Sequence, residues 1–383
     1  MEGRKNMTQK IVVAGHICLD IAPAFLNDKG CEITNLFCPG GLSEVGSADI
    51  HIGGSVANTG LALKMLGAFV CLMSKIGHDH FGSIVKEQLN KFAEVDHIME
   101  DPDGSTSYSV VLAPKGIDRM FLHHPGTNHT FSGSDLDYDE IKGAGLFHFG
   151  YPPLMKKIYQ RDGEELLSIF QRVKSLGVAT SLDMAAVDQR SEAAKADWEK
   201  IIKRVIPYVD FFLPSIEELA FMIDRQQYDS WKKRADGGDI TSVLRLSEIE
   251  KLADRLLDWG ANIVLIKCGA AGLYLAVGGE KRLKKTGIIK DVRQWADKRH
   301  FEYSYKPHGI LSGTGAGDTS IAAFLQAVMS GYSWEDCLKL AAATGASCVE
   351  SYDAVSNLKS LEEQMQRIEK GWEKQYLLLP KSD

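Results

Sequence analysis

Gly313-Thr314-Gly315-Ala316-Gly317-Asp318, running straight into Thr319-Ser320-Ile321-Ala322-Ala323-Phe324, joins a glycine turn to the start of a helix and sets one carboxylate at the junction. Glycines at 313, 315 and 317 can take positive φ and leave backbone N–H groups unobstructed. A helix beginning near Asp318 adds orphan N–H donors and a partial positive charge. Anionic oxygens settle at such a place, with the carboxylate beside them as a base. The helix is supported by Ile321, Phe324, Leu325 and Val328 at helical spacing and by Gly331 as a C-terminal stop. A bare Gly-x-Gly-Asp would be an ordinary turn before a buried helix, and the length of the run is what sets it apart. No Gly-Lys pair occurs in the chain, which excludes a Walker A loop, and the dinucleotide pattern Gly-x-Gly-x-x-Gly does not open a βαβ unit here.

Outward from this turn, short apolar runs alternate with amphipathic segments. Ile11 to Ala14, Val70 to Met73, Leu146 to Phe149, Val178 to Leu182, Phe211 to Leu213 and Ile263 to Ile266 read as buried strands. Val56 to Leu66, Phe81 to Phe92, Glu164 to Leu176, Asp197 to Val205, Leu246 to Trp259 and Trp334 to Val349 read as helices. The alternation gives an α/β fold with a doubly wound, mainly parallel sheet, whose chemistry gathers at the carboxyl ends of the strands. Two excursions leave that sheet at about residues 22–52 and 106–130. The second holds the alternating Tyr108, Val110 and Leu112, a Pro-Lys-Gly turn and Met120 to His123, and the two together read as a small β-lid. Asp224 to Ser247 and Gly278 to Leu311 are polar excursions, and residues 361–383 read as a C-terminal helical tail.

A chain of 383 residues with 44% apolar content and 36 glycines has enough core for one large α/β domain, here residues 7–360. The net charge of −7, with no Lys/Arg stripe along a helix, argues against nucleic acid as a partner. The 7 cysteines are odd in number and form no Cys-x-x-Cys pair, so neither a disulfide framework nor a zinc site is indicated and a reducing cytoplasm fits. No apolar stretch approaches a bilayer span, so a soluble protein without membrane contact is expected. Met1 to Asn6 reads as a dispensable leader, with Met7 an alternative start.

A second constellation, Gly53-Gly54-Ser55-Val56-Ala57-Asn58-Thr59-Gly60, precedes a helix that ends near Gly67. Its glycine pair permits close ligand approach, and the Asn58 amide both donates and accepts, which suits a polyhydroxylated ligand. Asp20, just beyond the first strand, is acceptor-only when ionised and matches two adjacent hydroxyls. Alone, each has an ordinary reading as a helix start or a loop carboxylate. With the 313–318 run they mark a ligand site.

These two segments in this order resemble the signatures of the PfkB carbohydrate kinase family, also called the ribokinase family: Gly-Gly-x-x-x-Asn near the N-terminus and Gly-Ala-Gly-Asp near the C-terminus. The resemblance covers Ile11 to about Leu358 and includes Gly77-His78-Asp79-His80-Phe81-Gly82 and Lys267-Cys268-Gly269-Ala270-Ala271-Gly272. It implies a ribokinase-like fold and transfer of the γ-phosphoryl group of ATP, with Mg2+, to a hydroxyl of a small sugar or nucleoside. By position, Asp318 would be the base and the N–H groups of Gly315, Ala316 and Gly317 the anion hole. Acceptor contacts would fall to Asp20, Gly53, Gly54, Asn58 and, from the lid, Arg119. Nucleotide contacts would fall to Ser215, Lys267, Gly269, Gly272 and Thr344. The family lid covers the acceptor and in some members builds a homodimer interface. His123, His124 and Asn128 also sit in the lid stretch, where a histidine reads as a packed or solvated lid residue, and Gly278 to Leu311 reads as a flap beside the nucleotide.

The chain also departs from that pattern. The family's Asn-x-x-Glu, which organises Mg2+ through water, appears as Ser215-Ile216-Glu217-Glu218, keeping Glu218 but not the amide. Ser312 replaces the Asp that often opens the glycine run, which argues against monovalent-cation activation. Cys18 and Ser55 stand where true ribokinases carry Asn and Lys, and the missing Lys favours an unphosphorylated acceptor. The leading reading is a sugar kinase of fructokinase or ribokinase type. A nucleoside kinase and a non-catalytic nucleotide or sugar sensor are the alternatives.

Overall fold

The computed structural model describes residues 10–26, 39–114, 120–351, 354–356 and 358–378. Strand β1 (Ile11–Gly15) lies inside a nine-stranded sheet and is buried along its whole length. Its side chains alternate between two cores. Val12 and Ala14 pack with Phe147, Phe149, Val264 and Ile266, whereas Ile11 and Val13 pack with Leu146, Ile263 and Leu265 on the other face. Burial on both faces is why these strands read as continuous apolar runs rather than as an alternating pattern.

β4 (Val70–Gly77) and β8 (Leu146–Gly150) flank β1 in parallel, with Ile11 level with Val70 on one side and Leu146 on the other. The remaining strands are β5 (Ile98–Asp101), β9 (Ala179–Leu182), β10 (Phe211–Phe212), β11 (Ile263–Lys267), β12 (Gly272–Val277) and β13 (Arg299–Tyr303). The order is β13-β12-β11-β10-β9-β8-β1-β4-β5, all running one way except β12, which pairs antiparallel with β11 and β13. From β1 the chain winds first toward β5 and then, through β8, toward β13. The strand order therefore reverses between β1 and β8, the switch point where doubly wound sheets open a crevice.

One face carries α3 (Tyr138–Lys142), α4 (Lys156–Ser175), α5 (Trp198–Val205), α6 (Ile216–Ile223), α7 (Arg225–Ala235) and α8 (Leu246–Asp258). The other carries α1 (Ser55–Met65), α2 (His80–Asn90), α9 (Ala316–Ser330), α10 (Trp334–Cys348) and α11 (Leu361–Glu369). None of the described helices is long and apolar enough to cross a membrane.

A second sheet stands off the first: β2 (Cys18–Pro23), β3 (Ala48–Gly53), β6 (Tyr108–Leu112) and β7 (Met120–His124), in the order β3-β2-β6-β7. The hinge between β1 and β2 is pinned by Asn128, whose Oδ1 accepts from Ile17 N at 3.3 Å and whose Nδ2 donates to Ile17 O at 2.7 Å. Asp79 anchors the other crossing. It caps α2 by accepting from Gly82 N at 2.8 Å, and it accepts from the Thr106 amide and hydroxyl at 2.8 and 2.6 Å just before β6. The Gly77 to Gly82 motif is thus a fixed joint between the body and the second sheet.

Three stretches differ from expectation. Gly278 to Leu311 is no free flap, because Arg299–Tyr303 forms the edge strand β13 paired to β12. Asp224 to Ser247 contains the helix α7. The tail is helical only to Glu369, after which Lys374 bridges to Tyr305 and the Trp372 ring stacks on Tyr305 at 4.9 Å.

Candidate active site

The carboxyl ends of β1, β8, β9, β10 and β11 converge on the N-terminus of α9. Gly315 caps that helix at φ 75, in the left-handed region, and a Cβ there would sit 2.3 Å from the Ala354 Cβ, so only glycine fits. The N–H groups of Gly315 and Gly317 have no protein acceptor among the described residues, and Ala316 N reaches Gly313 O only at 3.5 Å. Undersatisfied donors at a helix start are an arrangement able to receive anionic oxygens. Ser312 shapes the turn locally, its hydroxyl accepting from Thr314 N at 3.1 Å.

Asp318 is 4% exposed and fully engaged. Asn58 Nδ2 donates to Oδ2 at 3.1 Å and Thr59 Oγ1 to Oδ1 at 3.2 Å. Tyr151, directly after β8, donates its hydroxyl to both oxygens at 2.9 and 2.8 Å. Burial raises the Asp318 carboxyl above its ordinary value, and Lys267, Tyr151, Asn58 and Thr59 pull it back only in part. Tyr151 sits at φ 64, an uncommon conformation for a residue with a large side chain, and its own hydroxyl is pushed well up by burial and by Asp318. Sequence reading missed both Tyr151 and Thr59. The signal for Tyr151 was its place, one residue past the carboxyl end of the strand beside the switch point.

Tyr151→Phe should therefore raise the Asp318 carboxyl further. A hydrogen bond to a charged group is worth about 1.5–3 kcal/mol, so the acid limb of kcat/KM should move up by about one pH unit or more, with the alkaline plateau changed much less. A pH–rate profile of the variant with an unmoved acid limb would show that the hydroxyl does not support the base.

Behind this helix start lies a buried ion pair, Lys267 Nζ to Asp183 Oδ1 at 2.5 Å. A Cβ on Gly317 would lie 3.4 Å from Lys267 Cδ and 3.8 Å from Nζ, so the lysine passes directly beneath the glycine run. Burial lowers the Lys267 ammonium, but Asp183, Glu218 and Asp318 outweigh it and hold the ammonium above its ordinary value. Burial likewise drives the Asp183 carboxyl up while Lys267 draws it back. With one ammonium facing several carboxylates, the proton stays on Lys267. Asp183, at the end of β9, was not anticipated.

The other predicted residues divide. Ser215 and Glu218 form a reciprocal cap on α6, with Ser215 N donating to Glu218 Oε2 at 2.7 Å and Glu218 N to Ser215 Oγ at 3.2 Å. The pair therefore has a structural duty, and it lies beside Lys267 through a backbone bridge between Ser215 and Lys267. Gly272 is glycine for strand packing, since a Cβ there would meet Glu302 O at 2.1 Å, and Gly269 turns against Thr241. Thr344 is completely buried in α10, which leaves it no open face for a nucleotide. Arg119 lies outside the described residues.

On the acceptor side, a Cβ on Gly53 would strike the Asp20 carboxylate at 2.2 Å, so the glycine is what lets Asp20 lie flat over the turn. Gly54, at φ 88, caps α1, and Ser55 is buried just inside it. A cavity of about 360 Å³ brings Asp20, His51 and Asn58 together with Thr314 of the glycine run and with Ala354 to Ser356.

Residues 8–361 match the pfkB family of carbohydrate kinases. A 5-dehydro-2-deoxygluconokinase of Clostridium perfringens is 23% identical over 356 residues, covering 92% of this chain and 90% of its own. Among solved structures, an Arabidopsis thaliana ribokinase complexed with ribose and ATP superposes with a TM-score of 0.68 at 19% identity, covering 94% of this chain and 98% of that one. A putative ribokinase II from E. coli solved with ATP and Mg2+ gives 0.68 at 17% identity, covering 94% and 99%.

Proposed function

The chain belongs to the pfkB family of carbohydrate kinases, and from that membership we propose that it transfers the γ-phosphoryl group of Mg2+-ATP to a hydroxyl of a small unphosphorylated sugar. One observation carries this reading: a buried carboxylate, Asp318, stands in the first turn of a helix whose leading N–H groups are undersatisfied, with the Lys267 ammonium beneath them. Phosphoryl transfer asks for little else than an oriented base and fixed positive charge around a loose transition state.

The residues divide the work between them. Asp318 receives the proton of the attacking hydroxyl, and its raised basicity suits that role. The Gly315, Ala316 and Gly317 N–H groups and Lys267 hold the charge of the transferring group. Asn58 and Asp20 orient the acceptor. The undersatisfied N–H groups at the helix start, with the Lys267 ammonium beneath them, suit the phosphates of ATP. Mg2+ would neutralise the phosphates, and Glu218 would hold it through water, beside its capping duty. The second sheet excludes water from the acceptor, and its exposed Ile50, Phe121 and Leu122 support pairing with a second copy through that lid.

Ser55 supports the unphosphorylated acceptor, because its side chain is buried against Gly150 and presents no cation to a phosphate. The test is acceptor-dependent ADP release from Mg2+-ATP across hexoses, pentoses, polyols, sugar acids, phosphorylated sugars and nucleosides. Turnover with a neutral or acidic sugar is expected. Turnover confined to nucleosides, or to phosphorylated sugars, would overturn the acceptor assignment.

A further inference from the structure

At the opposite ends of the strands, far from Asp318 in the fold, three side chains of different chemistry meet. Cys71 is the second residue of β4, His97 immediately precedes β5, and Glu140 sits on α3. One ligand atom from each, the Cys71 thiol sulfur, a His97 ring nitrogen and a Glu140 carboxylate oxygen, lie within 4.8 Å of one another. In a tetrahedral site with bonds of about 2.0–2.3 Å the ligand atoms stand about 3.3–3.8 Å apart, so closure by roughly 1 Å completes it. His97 Nδ1 also lies 3.5 Å from Asp137 Oδ2, the carboxylate–histidine arrangement that orients an imidazole for a metal.

The site already attracts a cation. Lys10, just before β1, pairs with Glu140; burial and then Glu140 push the Cys71 thiol up to about 12, with Lys10 opposing, so a thiolate there needs a cation beside it. Lys10 and Glu140 side chains remain 16% and 32% exposed, so an ion can reach the carboxylate and the lysine has somewhere to go. Residue spacing hid this group, because its members come from separate parts of the chain and no Cys-x-x-Cys is involved.

We propose that Cys71, His97 and Glu140 bind a borderline-soft divalent ion of the Zn2+ class, with water as fourth ligand, in exchange for the Lys10 ammonium. Sulfur, nitrogen and oxygen donors together suit Zn2+ or Co2+ and not Mg2+. On binding, the Cys71 S–H bond breaks, its proton passes to solvent and the sulfur lone pair forms the metal bond, with no change of oxidation state. The ion would tie β4, the approach to β5 and α3 together across the start of β1, so its effect is on stability rather than on phosphoryl transfer.

The test uses the full-length protein, stripped with a chelator and titrated without nucleotide. Co2+ should give a thiolate charge-transfer band at one equivalent, and Zn2+ should displace it and raise Tm. Cys71→Ser should abolish the band and weaken Zn2+ by more than about 100-fold, the upper end of what an outer-shell partner carries. His97→Ala, at a partly exposed position, serves as the second ligand variant, and Lys10→Met should tighten binding by removing the competing cation. Absence of the band, or Zn2+ affinity equal in wild type and Cys71→Ser, would overturn the proposal, as would a band left intact by His97→Ala and Glu140→Gln together.

Discussion

Asp318→Asn should lower kcat by about 10²–10⁴-fold while leaving ATP affinity nearly unchanged, because the variant keeps the helix start and its N–H groups and loses only the carboxylate proposed as the base. The amide oxygen can still accept from Tyr151 and Asn58 while its NH2 donates to Thr59 Oγ1, a hydroxyl that can accept as well as donate, so the pocket keeps its shape. Stability moves the other way. The carboxyl is raised above its ordinary value of 3.8, so in the folded protein it carries a cost that sets in as pH rises from that value through the raised one. Asparagine removes the cost, and the variant should unfold at an equal or higher temperature than wild type at neutral pH. Lost turnover with retained or increased Tm is the signature of a group held for chemistry at the expense of stability. Turnover within a few-fold of wild type would remove Asp318 from the mechanism, and a large fall in Tm would make its role structural.

The strands were legible because burial on both faces makes each an unbroken apolar run, and β1, β8 and β11 fall where those runs predict. The helix α7 was hidden by its polarity. Only Trp231 is buried there, and the helix is held by Glu248, which accepts from the Trp231 indole at 2.9 Å and from Arg234 at 2.7 and 2.8 Å, contacts that no periodicity records. β13 was hidden in the same way, as a charged edge strand. At the site, the glycine run, Asp318 and Asn58 were visible as local motifs. Tyr151 and Asp183 were not, because each depends on where a parallel strand ends in space rather than on its neighbours in the chain. Gly272 shows that a position within a familiar pattern also carries a packing duty, since a Cβ there would meet Glu302 O at 2.1 Å.

The pair Lys267 and Asp183 allows catalysis to be separated from stability. Lys267→Met leaves Asp183, 1% exposed, as an unpaired buried carboxyl, and breaking one side of a buried pair costs about 3–5 kcal/mol. It also removes the positive charge beneath the anion hole, where one preorganised donor is worth about 10²–10³-fold in kcat. The single variant confounds the two losses. In Lys267→Met with Asp183→Asn, neither charge of the pair is left uncompensated, and a buried ion pair replaced by neutral groups is often neutral in stability. Denaturant unfolding of the double variant should return close to wild type while kcat stays low. Recovery of kcat along with stability would mean that the lysine only holds the fold. Recovery of stability without kcat, with Asp183→Asn alone keeping kcat, would assign the loss to the lysine charge, which bears on the transferring group and on the Asp318 carboxyl.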